Sequence, residues 1–288
     1  MTTTADLHAA AFKFVQGLAA DLGKDELELP GFPDTVAKLH QDLGDESKSV
    51  SEIVDRINSE PVLAARIIQL ANSAAFNTTG REISNPRAAV TQLGFNVVRS
   101  TATSFAVRQL EQQEWLAPVR PALQKIWQRS NDVAAICHVL GGHAQMLRAD
   151  EAMTAGLFHE LGNLYLLTQA HKEGLEVVKD PAWEEIAADW HPTVAKAFVE
   201  AWGMPEHVAE AIESQDAVAR NELEAASQLT RLLSAAKLYN TLQELTDDDE
   251  YAQEARQRLE ELYVSGEQFM NLVAAHEQEI ADVRQTIA

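Results

Sequence analysis

Apolar residues along this chain recur at intervals of three and four, the spacing of helices that each bury one face. Leu63, Ile67, Leu70 and Ala71 stand at i, i+4, i+7 and i+8 behind Glu60-Pro61. Proline suits the first helical position, where its missing N–H would have no partner anyway. Ser49 followed by Glu52 predicts a capping box that opens a helix carrying Ile53, Val54 and Ile57. Asn85-Pro86 joins an N-cap residue to a first-turn proline, and Leu93-Gly94 predicts the end of that helix. Further helices are expected near 97–112, 121–146, 151–169, 182–202 and 206–215, then over 224–245, 251–264 and 267–286. In the last of these Phe269, Leu272, Val273, His276, Ile280 and Val283 make one stripe. Runs rich in β-branched and aromatic residues are too few to build a sheet. The expected fold is all-α, a multi-helical bundle.

Two breaks organise the chain. Gln112–Pro121, with Pro118 and Pro121, is a candidate junction, and Thr246–Glu250 is a second. They suggest an N-terminal helical lobe over 1–117, a second lobe over 118–222, and C-terminal helices over 223–288. A length of 288 residues, 46% hydrophobic and 23% charged, is ordinary for a folded protein with a sizeable core. The charge is not ordinary: 23 Lys+Arg against 44 Asp+Glu leave −21. Such a surface repels phosphate backbones and anionic lipid, which argues against direct nucleic-acid binding and against a membrane. From Thr241 to Ala288 there are 12 acidic and 3 basic side chains. This end reads first as a solvated face on packed helices, and second as a surface that recruits a basic partner.

The one cysteine, Cys137, lies in the apolar run Ala134–Cys137 and is expected to be a buried, unreactive small hydrophobe. With no partner for a disulfide, no run long enough to span a bilayer and no basic-then-apolar start, the chain is expected to be cytoplasmic. Trp127, Trp183, Trp190 and Trp202 fall at helical positions and are expected to anchor packing, whereas Trp115 lies in the junction. A phosphate-cradling glycine loop, a G-x-S-x-G elbow and a C-x-x-C pair are all missing.

What remains is a group of histidines: His138, His143, His159, His171, His191 and His207. His159-Glu160, inside Ala155–Asn163, offers an imidazole and a carboxylate to a divalent metal. Two adjacent residues do not make a metal site. Taken alone the pair reads as structural, with His159 donating to a backbone carbonyl in the core and Glu160 paired to an arginine.

A set of longer segments adds to this reading. They run Leu29-Pro30-Gly31-Phe32-Pro33, Glu60-Pro61 through Arg66, Leu70-Ala71-Asn72-Ser73 through Phe76, and Ala88 through Leu93-Gly94. The second half continues with Ile126–Ser130, Ala155–Gly162, Trp190–Ala195 and Trp202–Pro205. In this order, over about 29–216, they resemble the HDOD domain, a bacterial signalling module related to the HD-domain metal phosphohydrolases. Asn72-Ser73 is characteristic of the resemblance. Physically it reads as a helix C-terminus, with Asn72 suited to left-handed backbone and Ser73 to a freed carbonyl.

The resemblance implies a metal-site scaffold whose ligand positions have changed. A catalytic HD domain would place a histidine where Arg129 stands, a His-Asp pair where His159-Glu160 stands, and an aspartate near Lys237. Fixed cations at two such positions repel a metal. The HD-GYP branch would want a lysine at Asn163 and a His-His pair at Gln215-Asp216, so that His191 alone matches its extra set. Arg129 is then expected to pair with Glu160 as a pin between helices. A ligand cavity using Arg129, His159 and Lys237 is the other use of the site.

The implied function is non-enzymatic signal transduction through protein–protein contacts, with other signalling proteins as partners, no cofactor and no metal. A homo-oligomer is compatible with the pattern. The runner-up is a residual phosphohydrolase, whose metal would need His138 or His143, His159, Glu160 and His191 to converge, with His207 as an optional further ligand and His159, Glu160 and His191 as the minimal set. The third reading is a nucleotide sensor that does not cleave its ligand.

Overall fold

The computed structural model describes residues 28–287 apart from 78, 145–146, 175–180 and 247–249, together with Phe14, Gly17 and Leu18. The acidic run at 247–249 and the start of the chain therefore lie outside the described residues. Among the described residues the fold is all-α apart from one small hairpin.

In the N-terminal half α1 spans Asp34–Gly44, α2 Val50–Asn58, α3 Pro61–Ala71 and α4 Pro86–Glu111. Local chemistry sets these limits. The Ser49 side chain accepts from the Glu52 N–H, and the Glu52 carboxylate accepts from the Ser49 N–H, closing the capping box. Pro61 opens α3 at its first turn, and the Asn85 side chain accepts from the Ala88 N–H to open α4. Gly94 (φ 75°, ψ 167°) leaves helical geometry inside this span, so α4 is two helical segments that meet at a break, where Leu93-Gly94 predicts the end of the first.

Asn72 departs from expectation. Its backbone stays right-handed (φ −94°, ψ −4°), and its side chain does the work. Nδ2 donates to the carbonyls of Ile68 and Ile83, while Oδ1 accepts from the Ile83 N–H. Asn72 thus ties the end of α3 to the loop that leads into α4. Ser73 Oγ donates to the Leu70 carbonyl at 2.8 Å, as a freed helix-end acceptor requires.

In the second half α5 spans Arg120–His143, α6 Ala149–Phe158, α7 Leu161–Lys172, α8 Pro181–Ala201 and α9 Glu206–Glu213. Helix α5 is central, packing on α6, on α10 (Gln228–Leu242) and on α13 (Glu277–Ile287). Ile136, Leu123 and Cys137 on α5 are fully buried with Phe158 and Phe198. The helix expected over 151–169 is two helices with a corner at His159-Glu160, where Glu160 leaves helical geometry (φ −94°, ψ 4°). The reason is long-range: α7 must approach the backbone of α8. A Cβ on Gly162 would stand 2.0 Å from the His191 carbonyl oxygen, so a glycine is needed at that crossing.

The C-terminal helices also divide. Helix α11 (Glu250–Glu260) is followed by strands β1 (Tyr263–Val264) and β2 (Glu267–Gln268), joined through Ser265 and Gly266, both at positive φ. Those angles match the tight turn whose twist suits a hairpin. Helix α12 (Phe269–Ala275) ends at His276 before α13 begins. The apolar stripe persists across that break: Phe269, Leu272, Val273, Ile280 and Val283 are buried, whereas His276 caps α12. The described glutamates of this end, such as Glu254, Glu260 and Glu267, lie exposed.

The two halves meet backbone to backbone. A Cβ on Gly44 would come within 2.7 Å of the Trp202 carbonyl oxygen, and one on Gly203 within 2.9 Å of the Gly44 Cα. Beside this seam the Trp202 ring stacks on buried His40, with centroids 4.0 Å apart. Trp127 and Trp202 are buried, Trp183 and Trp190 are partly buried against the core, and Trp115 is exposed.

Candidate functional site

Arg129, His159, Glu160, His191 and Lys237 line one cavity of about 490 Å³. Arg129 comes from the middle of α5, His159 and Glu160 from the α6–α7 corner, His191 from α8 and Lys237 from α10. Lys125, Asn163, Asn240 and Thr241 add polar groups, and Ile126, Leu166, Leu167 and Trp183 give an apolar side.

The corner fixes the imidazole of His159. Its Nδ1 stands 2.6 Å from the Gly156 carbonyl, which assigns the proton to Nδ1 and leaves Nε2 as the free lone pair, 3.7 Å from Glu160 Oε1. The His159 carbonyl accepts from Gln215 Nε2, which also donates to Ile212. Burial lowers the His159 imidazole below its ordinary value, with the Glu160 charge opposing. Burial would raise the Glu160 carboxyl. His159, His191 and Lys237, with a 2.5 Å bond from Asn163, outweigh it and hold the group well below the usual carboxylate range. Burial, helped by Lys237, pushes His191 down to about 4. The Nδ1 of His191 is buried without a hydrogen-bond partner.

The two cations are both committed. Arg129 donates through Nε (3.0 Å) and Nη2 (2.7 Å) to the two oxygens of Glu244, with Lys125 Nζ 2.9 Å from the same carboxylate. The expected Arg129–Glu160 bond is therefore replaced by an Arg129–Glu244 fork just past the end of α10. Glu160 turns to Asn163 and acts on Arg129 only through its charge. Lys237 Nζ is bonded to Asp216 Oδ1 at 2.7 Å. Sequence reasoning missed Glu244 and Asp216 as partners, since they lie 115 and 21 residues from the groups they bind.

The other histidines do not converge here. His138 Nδ1 contacts the Ala149 carbonyl, His171 the Trp115 carbonyl and His207 the Glu151 carboxylate. His143 lies beside His276 and Glu279. Of the residues a residual hydrolase would use, His159, Glu160 and His191 share the cavity, whereas His138, His143 and His207 lie elsewhere. A divalent ion of the HD type would need anionic or neutral donors at the Arg129 and Lys237 positions. Both hold cations, and the nearby carboxylates Glu244 and Asp216 are taken up neutralising them. The residues present do not fit that ion.

Fold and cavity together define a multi-helical protein with a charged, histidine-bearing cavity between its central helices. The chain belongs to the HDOD domain family, whose model matches residues 29–218. Solved structures share the fold at low identity. One, provisionally described as a metal-dependent phosphohydrolase from Shewanella amazonensis SB2B, is 24% identical with a TM-score of 0.70, over 97% of this chain and 100% of its own. An HDOD domain protein of unknown function from Geobacter sulfurreducens is 22% identical with a TM-score of 0.60, over 97% and 96%. A third, provisionally described as a signal transduction protein from Marinobacter aquaeolei VT8, is 20% identical with a TM-score of 0.50, over 99% and 67%. The comparison with curated proteins gave no match. Among the described residues no helix is long and apolar enough to cross a membrane.

Proposed function

We propose that this protein is a non-enzymatic signalling and regulatory module that acts through protein–protein contacts in the cytoplasm. One observation carries the reading. Where an HD hydrolase would hold its metal, this chain has ion pairs, Arg129–Glu244 and Lys237–Asp216. Without a bound ion the scaffold loses both the Lewis acid and the activated water of that chemistry. The net charge of −21 favours partners with a basic face and disfavours nucleic acid.

The test is phosphodiesterase turnover with added Mn²⁺ or Fe²⁺, alongside metal content of untagged protein and of His159→Ala. No turnover, and no metal whose retention depends on His159, is the expected result. Turnover abolished by His159→Ala would overturn the proposal. A second reading, a nucleotide sensor without catalysis, is favoured by the volume and polar lining of the same cavity. A ligand present at ~100 Kd would stabilise the fold by about 2.7 kcal/mol. A thermal shift with a cyclic dinucleotide, lost in Arg129→Ala, would establish that reading.

A further inference from the structure

On the face of the molecule built by the C-terminal helices, three potential ligands meet that the cavity does not use. His143 is the last residue of α5, His276 sits at the break between α12 and α13, and Glu279 lies in the first turn of α13. Glu279 Oε2 stands 3.2 Å from His143 Nε2 and 3.3 Å from His276 Nδ1. The two imidazoles lie ring on ring with centroids 3.8 Å apart. All three ligand atoms fall within 4.8 Å of one another, and among the described residues this is the group of three metal-type donors that does so.

We propose that His143, His276 and Glu279 form a binding site for a borderline divalent transition metal, with Zn²⁺ the best match, and water as the fourth ligand. The spacing carries the assignment. Zn–N and Zn–O bonds of about 2.0–2.1 Å set the edge of a tetrahedron at about 3.3–3.4 Å. The two observed separations, 3.2 and 3.3 Å, lie within about 0.2 Å of that edge. They are longer than the roughly 2.7–2.9 Å of a strong charge-assisted hydrogen bond. Two imidazoles and one carboxylate suit Zn²⁺ better than Mg²⁺ or Ca²⁺, which take oxygen ligands. The rings must tilt out of their stack for both lone pairs to converge, and His143, with 44% of its side chain exposed, has room to do so. The acidic surface raises the local concentration of any cation.

The site would join parts of the fold that are far apart in sequence. His143 and Glu279 are 136 residues apart, and the same two helices are also joined by Arg284 to Asp132 at 2.8 Å and by apolar packing. A bound ion would therefore staple the α12–α13 corner to the central helix. It is independent of the cavity around His159 and of any catalysis.

The test is a titration of untagged, chelator-stripped full chain with Co²⁺ as a spectroscopic stand-in for Zn²⁺. Wild type should bind about one equivalent with the intense visible bands of tetrahedral Co²⁺, displaced by Zn²⁺. Those bands should vanish in His143→Ala and His276→Ala, and affinity should fall at least about tenfold in Glu279→Gln. His159→Ala should bind as wild type does. Zn²⁺ should also raise Tm and slow proteolysis of the C-terminal helices in wild type alone. Weak, octahedral-type absorption, binding unchanged by His143→Ala and His276→Ala, or loss on His159→Ala would each overturn the proposal.

Discussion

His191 shows how a buried histidine without a hydrogen-bond partner at Nδ1 becomes a cost in acid. It is buried, its Nδ1 makes no hydrogen bond, and Lys237 lies close enough to disfavour a proton. Folded, the group titrates at about 4, whereas an exposed imidazole titrates near 6.5. Between those values the unfolded chain binds a proton that the folded chain does not. Stability therefore rises with pH through this window and is lost as pH falls from about 6.5 to about 4, by roughly 3 kcal/mol for this residue. Burial shifts His40 and His159 the same way, so they add to the loss. Tm measured across this range should fall with acid, and His191→Gln should flatten the slope without abolishing it. An unchanged slope would mean that His191 already takes up its proton in the folded state.

At the scale of helices, glycines decide which elements can touch. Gly162→Ala would drive a methyl group into the backbone of His191, which cannot swing aside, and should cost about 3 kcal/mol or more. Gly142→Ala, also in a helix, would meet only Ala149 Cβ at an ordinary 3.6 Å and should stabilise by about 0.5–1 kcal/mol. Urea melts of the two variants should move in opposite directions, and a shared direction would refute the packing account. The same contrast explains what the chain reveals by itself. The Ser49 and Asn85 caps are legible because each closes within three residues of its own chain. The corner at His159-Glu160 is hidden because the backbone of α8, not the local pattern, forces it. Motif segments point to Arg129, His159, Glu160 and His191, the implied position of a last aspartate points to Lys237, and the fold gathers all five around one cavity. Their ion partners were not legible, since no local rule ties Arg129 to a glutamate at 244. The hairpin at 263–268 escaped because two-residue strands carry no alternation to read.

For the whole molecule, charge and connectivity set the behaviour. A net −21 on one chain repels itself, and the described ion pairs are mostly at the surface, where each contributes little. Added salt should therefore stabilise: Tm should rise between about 50 and 500 mM NaCl as the Debye length shrinks. A fall would mean that the surface pairs outweigh the repulsion. The glycine-on-glycine seam at Gly44 and Gly203 bears on how such a protein could carry a message. At that crossing two backbones touch with no side chains between them, and the buried His40–Trp202 stack packs beside it, so the halves have little room to slide. A partner that grips the N-terminal helices would turn the cavity-bearing half with them, like one arm of a lever. Under the proposed signalling role, what such a partner transmits would be an orientation in space, with no internal gear to shift.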